Sequence, residues 1–260
     1  MSGVVTLSKT PNGVATVAID RLDRMNALNL EVWQRLGDVF LELSGDESVR
    51  AVVLRGAGTK AFAPGADIEE FDTVRASADQ ARAYDLVMRR AFDAVAACPH
   101  PTIAMIYGPC VGGGLELAAL CDLRLAARSA RFGVPINRIS VVMGYPELIG
   151  LKRLIGPART LEILLEGQVA NAQTALGWGL VNRVVDDAGL EDETQATLSR
   201  ILAGAPLANR WHKKFLRRLD DPTPITADEM EEGYDFLETR DYAEGVVAFK
   251  AKRKPDFRGK

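Results

Sequence analysis

The chain has 260 residues, of which 47% are hydrophobic and 26% charged, and a formal net charge of −3. That is an ordinary globular composition, long enough for one large domain or a core with an appendage. It gives no electrostatic case for nucleic acid or an anionic membrane, and no apolar run reaches the ~20 residues of a membrane-spanning helix. The N-terminus has neither the charged-then-apolar layout of a secretory signal nor an Arg/Ser-rich presequence. The three cysteines (Cys98, Cys110, Cys121) are embedded in apolar sequence without zinc spacing, and there are two histidines. This argues for buried free thiols in a reducing, cytoplasmic compartment and against a disulfide framework or a metal centre.

In chain order, Val4–Leu7 and Val14–Ile19 flank Pro11-Asn12-Gly13, a hairpin signal. Val32, Leu36, Val39/Phe40 and Leu43 recur at helical spacing, predicting a helix over Leu30–Leu43, and Ala51–Leu54 reads as a buried strand. Gly56-Ala57-Gly58-Thr59-Lys60-Ala61 superficially matches a dinucleotide fingerprint. Pro64-Gly65, however, interrupts the helix that would have to follow, and Walker A spacing is absent. A helix restarts at Ala66, and a longer one runs over Ala78–Ala97 until Pro99-His100-Pro101.

The strand Ile103–Ile106 then leads through Gly108, Pro109 and Gly112-Gly113-Gly114 into the apolar helix Leu115–Cys121. Short strands follow at Leu123–Ala127 and Ala130–Val134, and Gly144-Tyr145-Pro146-Glu147 is a turn whose proline starts a helix. Helices at Pro157–Leu165 and Asn171–Gly177 and a strand at Leu180–Val184 complete the mixed part. Beyond it the chain reads as helical: Leu190–Ala203, Pro206–Leu219, Thr226–Glu238 and Arg240–Lys252. Strands first and helices last predict an α/β core, residues 1–195, with a helical C-terminal region, residues 196–260.

Chemistry concentrates at the triple glycine. Glycines let a backbone approach a ligand closely, and a helix beginning there presents free N–H groups and a positive dipole end. Glu116 then sits in the first turn among apolar neighbours. It is either a desolvated acid/base or a carboxylate that simply favours the dipole. Loop-to-helix starts at Ala66 and Gly113 offer one backbone donor each, which together would suit an oxyanion. Asp122 reads as a brace for the strand after the glycine helix, and His100 as a polar turn residue. Lys213, Lys214, Arg217 and Arg218, with His212, read as the wet side of an amphipathic helix. No serine lies in a G-x-S-x-G context.

Phe62-Ala63-Pro64-Gly65-Ala66-Asp67-Ile68, then Gly108 with Gly112-Gly113-Gly114-Leu115-Glu116-Leu117, then Cys121-Asp122, resemble the crotonase (enoyl-CoA hydratase/isomerase) family. Asn26-Ala27-Leu28 and the C-terminal Glu244-Gly245, Ala248-Phe249, Lys252-Arg253, Pro255 and Phe257 match as well, in family order over nearly the whole chain. The resemblance implies a spiral of ββα units with C-terminal helices used in a homotrimer or dimer of trimers. It implies an acyl-CoA thioester substrate, with coenzyme A part of that substrate and no further cofactor. It places the oxyanion hole at the N–H groups of Ala66 and Gly113 and a catalytic carboxylate at Glu116. It assigns CoA and acyl contacts to Arg24, Ala27, Lys60, Ala66, Asp67, Ile68, Gly112, Gly113, Ile136 and Tyr145. Phe249 and Lys252 would lie at the CoA nucleotide end, on a neighbouring subunit.

One position departs from the family pattern. Hydratases carry a second glutamate twenty residues beyond the first, where this chain has Ile136. Hydration of a 2-enoyl-CoA is the leading activity the resemblance implies. Isomerisation, decarboxylation of a malonyl-type CoA ester and CoA-ester hydrolysis are the close alternatives, and non-catalytic acyl-CoA binding is the alternative of another class. Decarboxylating relatives also keep the glutamate at the Glu116 position but carry a histidine where this chain has Ala66. Asn137, Tyr145 and Glu147 lie in the stretch that faces the acyl pocket in relatives.

Overall fold

A computed structural model describes residues 3–260. Strands β1 (Val5–Lys9) and β2 (Val14–Ile19) form the expected hairpin. Its turn closes because Gly13 takes φ +86° and donates to the Thr10 carbonyl. Helix α1 (Leu30–Ser44), capped by the Asn29 side chain, precedes β3 (Ala51–Gly56). A three-ten turn at Ile68–Glu70 and the short α2 (Phe71–Val74) lead to α3 (Ala78–Ala97), which packs on α1.

Next come β4 (Thr102–Ile106), β5 (Pro109–Val111) and α4 (Gly113–Ala119), then β6 (Leu123–Ala127), β7 (Arg131–Gly133) and α5 (Tyr145–Glu166). The strand–short strand–helix order repeats. β8 (Val169–Asn171), α6 (Ala172–Gly177) and β9 (Arg183–Val185) follow. The chain ends in α7 (Leu190–Leu202), α8 (Pro206–Arg218), α9 (Ala227–Glu231) and α10 (Arg240–Lys250).

A six-stranded sheet runs in the order β1-β2-β3-β4-β6-β9, parallel except for the hairpin, and β5-β7-β8 form a second, three-stranded sheet. Parallel strands are buried on both faces, and β4 accordingly has all five residues buried. One layer of core (Trp33, Leu36, Phe40, Leu54, Ile106, Leu117) lies under α1 and α3. The other (Val53, Ile103, Met105, Leu125) is covered by Leu190 and Leu198 of α7. The 195/196 position therefore falls inside a helix that covers the sheet.

Three expectations change. The helix predicted from Pro157 is the second half of α5, which kinks at Gly156 (φ 72°, ψ 169°) immediately before that proline. No helix starts at Ala66, which lies in an extended bridge with Leu28. Lys213 is not on a wet face. Its side chain is 7% exposed and donates to the His100 carbonyl and to Asp122, where Arg217 also approaches.

Asp122 braces a strand, but it is β4, before the glycine helix, rather than the strand after it: it accepts from the Thr102 N–H (2.7 Å) and hydroxyl (2.9 Å). His100 is a buried part of the same joint. Its Nε2 meets the Leu43 carbonyl at 2.8 Å, and burial lowers its pKa to about 4, leaving it neutral at pH 7. The three cysteines are free and buried. No helix among the described residues is long and apolar enough to cross a membrane.

Candidate active site

Two extended backbone segments run side by side at one edge of the core. Ala63 bridges Cys110, the Val111 N–H donates to the Ala63 carbonyl (3.0 Å), and the Ala63 N–H donates to Pro109 (3.0 Å). Glycine makes the approach possible. A Cβ on Gly114 would collide with the Ala63 carbonyl oxygen, and one on Gly112 would lie 3.8 Å from the Gly65 Cα. Gly112 also has φ 51° and ψ −126°, a combination closed to side chains with a Cβ. It turns the second segment directly into α4.

The donor at Ala66 comes from this geometry. In its bridge with Leu28, the paired groups are the flanking ones: Leu28 donates to the Gly65 carbonyl, and Asp67 donates to the Leu28 carbonyl, each at 2.9 Å. The Ala66 N–H consequently points away from Leu28, to the side where Ala66 lines a cavity. On the adjoining segment, Gly112 spends its N–H on the Gly133 carbonyl (2.8 Å). Gly113 is the first residue of α4, where N–H groups have no partner within the helix. A Cβ on Gly113 would press at 3.1 Å on the buried Trp33 ring, which would have to give way to admit it.

The cavity in front of these donors has a volume of about 410 Å³. Its lining comprises Gly65, Ala66, Gly112, Gly113 and Glu116, here termed its floor, Pro135, Ile136, Ile139, Met143, Gly144 and Glu147, here termed its wall, and the rings of Trp33, Phe71 and Tyr84. Tyr84 accepts from the Trp33 indole N–H (3.0 Å), and the Arg75 guanidinium stacks over the Phe71 and Tyr84 rings at 4.9 and 5.0 Å. Glu116 is 9% exposed. Burial, assisted by the negative charge of Glu147 and opposed by Arg75, pushes its carboxyl up to about 8. At neutral pH Glu116 is therefore protonated, a proton donor beside two backbone N–H groups. That combination suits a reaction passing through an oxyanion.

The family model for enoyl-CoA hydratase/isomerase matches residues 9–260. The chain belongs to the enoyl-CoA hydratase/isomerase family. It is 34% identical to a crotonyl-CoA hydratase of Syntrophomonas wolfei, over 94% of either chain. It is 33% identical to a short-chain-enoyl-CoA hydratase of Clostridium acetobutylicum, over 93% of this chain and 92% of that one. A crystal structure of an enoyl-CoA hydratase/carnithine racemase from Magnetospirillum magneticum superposes with a TM-score of 0.98 at 61% identity, covering 100% of this chain and 97% of that one. The crotonase fold expected from the motifs is thus the fold observed.

Of the positions to which the family resemblance gave a place at the site, the structure brings Ala66, Ile68, Gly112, Gly113, Glu116, Ile136 and Glu147 to one cavity. The others lie outside its lining. Asp67 is held by Arg21 (2.8 Å) in a mostly buried ion pair, and Arg24 by Glu69 (2.6 Å) in an exposed one. The Ala27 carbonyl accepts from Arg21, and Lys60 is exposed. Tyr145 is 87% exposed at the start of α5, and Phe249, 86% exposed, is on α10 with Lys252 just beyond it. Phe249 borders an apolar groove of about 740 Å³ with Trp211, Phe215, Tyr242 and Phe257. No set of three or more His, Cys, Asp or Glu side chains suited to a metal occurs among the described residues.

Proposed function

We propose that this chain is a short-chain enoyl-CoA hydratase of acyl-CoA metabolism, adding water across the C2=C3 bond of a 2-enoyl-CoA to give the 3-hydroxyacyl-CoA. The observation that carries the reading is the placement of the buried Glu116 in one cavity with the N–H groups of Ala66 and Gly113. A thioester oxygen seated on those donors accepts the negative charge that develops when C3 is attacked, and Glu116 is the acid/base of the same site. Preorganised donors of this kind contribute about 10²–10³ each to turnover. The thioester supplies the activation, so the reading requires no metal or redox cofactor. Ile68 and Ile136 give the acyl chain an apolar lining. On this reading the coenzyme A moiety leaves the cavity toward Lys60, and Phe249 and Lys252 serve the nucleotide end of a neighbouring subunit in a trimer or dimer of trimers. Three free buried thiols fit a reducing, cytoplasmic setting.

Loss of the conjugated enoyl-thioester absorbance of crotonyl-CoA tests the reading. The wild type should turn over, and Glu116→Gln should lose about 10²–10⁴ in kcat/KM, the worth of a positioned acid/base. A wild type inert toward crotonyl-CoA that releases CO2 from a malonyl-type CoA ester would replace hydratase with decarboxylase.

A further inference from the structure

The cavity lining includes a cation that the hydration chemistry does not use. Arg75, just beyond α2, lines the cavity with its guanidinium laid over the Phe71 and Tyr84 rings. Among the described residues its one hydrogen bond is to Asp85, at 3.4 Å, whereas Arg21 and Arg24 hold their carboxylates at 2.8 and 2.6 Å. An arginine that only covers rings carries its charged head out to water, yet this side chain is 22% exposed. Stacking on the rings fixes the guanidinium plane and leaves its N–H edges available, the geometry that grips a carboxylate through two parallel bonds. The other arginines of the lining are placed differently: Arg89 is exposed, and Arg138, also exposed, donates to the Gly167 carbonyl at 2.8 Å.

A chain of contacts fixes the place of Arg75 relative to the oxyanion donors. The Trp33 ring lies against Gly113, the Trp33 indole N–H donates to the Tyr84 hydroxyl, and Arg75 stacks on Tyr84. The lining therefore runs from Gly113 past two buried aromatic side chains to a guanidinium. On the hydratase reading, on which this inference rests, the thioester oxygen sits at Gly113 and coenzyme A departs toward Lys60, outside the lining. The acyl chain is then what lies along the rings, and its far end is what meets Arg75. We propose that Arg75 is the specificity residue of this site, pairing with a carboxylate at the far end of the acyl chain, so that the substrates are monothioesters of unsaturated dicarboxylic acids. A plain acyl chain would set a methyl group against the half-buried guanidinium and leave it unpaired, which discriminates against that chain.

Two substrates of equal length separate this role from a structural one: 2-hexenoyl-CoA, and 5-carboxy-2-pentenoyl-CoA, in which the terminal methyl is replaced by a carboxylate. The wild type should hydrate the carboxylate substrate with a kcat/KM about 10–100-fold higher, chiefly through KM, the worth of a charge-assisted pair. Arg75→Met, whose flexible apolar side chain still covers the rings, should erase that preference, and Arg75→Lys should restore part of it. A wild-type ratio of one or below overturns the proposal. So does an equal loss on both substrates in Arg75→Met, the result expected of a guanidinium that holds a CoA phosphate or the fold. The hydratase reading fails on a different result, a wild type inert toward both substrates. Calorimetric binding then decides the role of Arg75 by itself: adipyl-CoA should bind the wild type at least about tenfold tighter than hexanoyl-CoA, but not Arg75→Met, and equal affinities in the wild type overturn the proposal.

Discussion

The floor and the wall of the cavity are built on different principles. The floor is backbone: two extended segments laced by hydrogen bonds and pressed together by glycines, with buried residues on either side. The wall is side chain: a three-ten turn at Pro135–Ile139, an exposed stretch, and the first turn of α5, where Val142 and Tyr145 are nearly bare. On the proposed reading, the floor stabilises negative charge on a thioester oxygen. The particular reaction depends on what the wall presents to C2, C3 and water. A fixed floor facing an adaptable wall lets one fold host several acyl-CoA chemistries.

The largest effect should come from prying the floor apart. Gly114→Ala sets a methyl group against the Ala63 carbonyl. Separating the two segments should lower turnover at least 10²-fold and stability by about 1–3 kcal/mol, read from crotonyl-CoA kinetics and urea unfolding. The next concerns the charge buried in the floor. Glu116 binds a proton up to about pH 8 when folded but releases it near its ordinary value of 4.5 when unfolded. Between those limits the folded state holds more protons, so this residue's contribution to stability falls as pH rises. Glu116→Gln should therefore gain stability over wild type from pH 5 to 9 in paired denaturation curves, and a constant difference across that range would refute the burial of a protonated acid. The smallest effect belongs to the wall: Tyr145→Ala should change stability by no more than about 0.5 kcal/mol and leave hydration intact.

The same division governs what could be read from sequence. The glycine run at Gly112–Gly114 and Glu116 announce the floor, because close backbone approach demands glycine and a lone carboxylate in an apolar helix is conspicuous. Ala66 was legible as a donor but not for its true reason: its N–H is freed by an extended bridge to Leu28, a pairing across 38 positions, rather than by a helix start. That Glu147 lines the cavity while Asn137 and Tyr145 do not was not legible in the sequence. What sorts them is the Leu165 carbonyl, which takes the Asn137 amide, and solvent, which takes Tyr145, neither visible in local spacing. Lys213 misled for a similar reason, since its partner Asp122 is 91 residues away. The three-residue strands β5 and β8 are too short to carry a period.

The buried thiols give the molecule a property unconnected with acyl transfer. Cys110 lies under the Gly114 carbonyl, Cys121 under that of Leu117, and Cys98 against that of His100. Burial pushes all three up, Cys121 to about 12, so almost no thiolate exists at physiological pH and electrophiles and oxidants find nothing to attack. Reactivity appears only when the surrounding structure opens. One thiol sits beneath the glycine floor, one at the far end of its helix and one at the joint where α8 docks, so the chain carries three internal clocks. Each keeps the opening time of a different part of the fold.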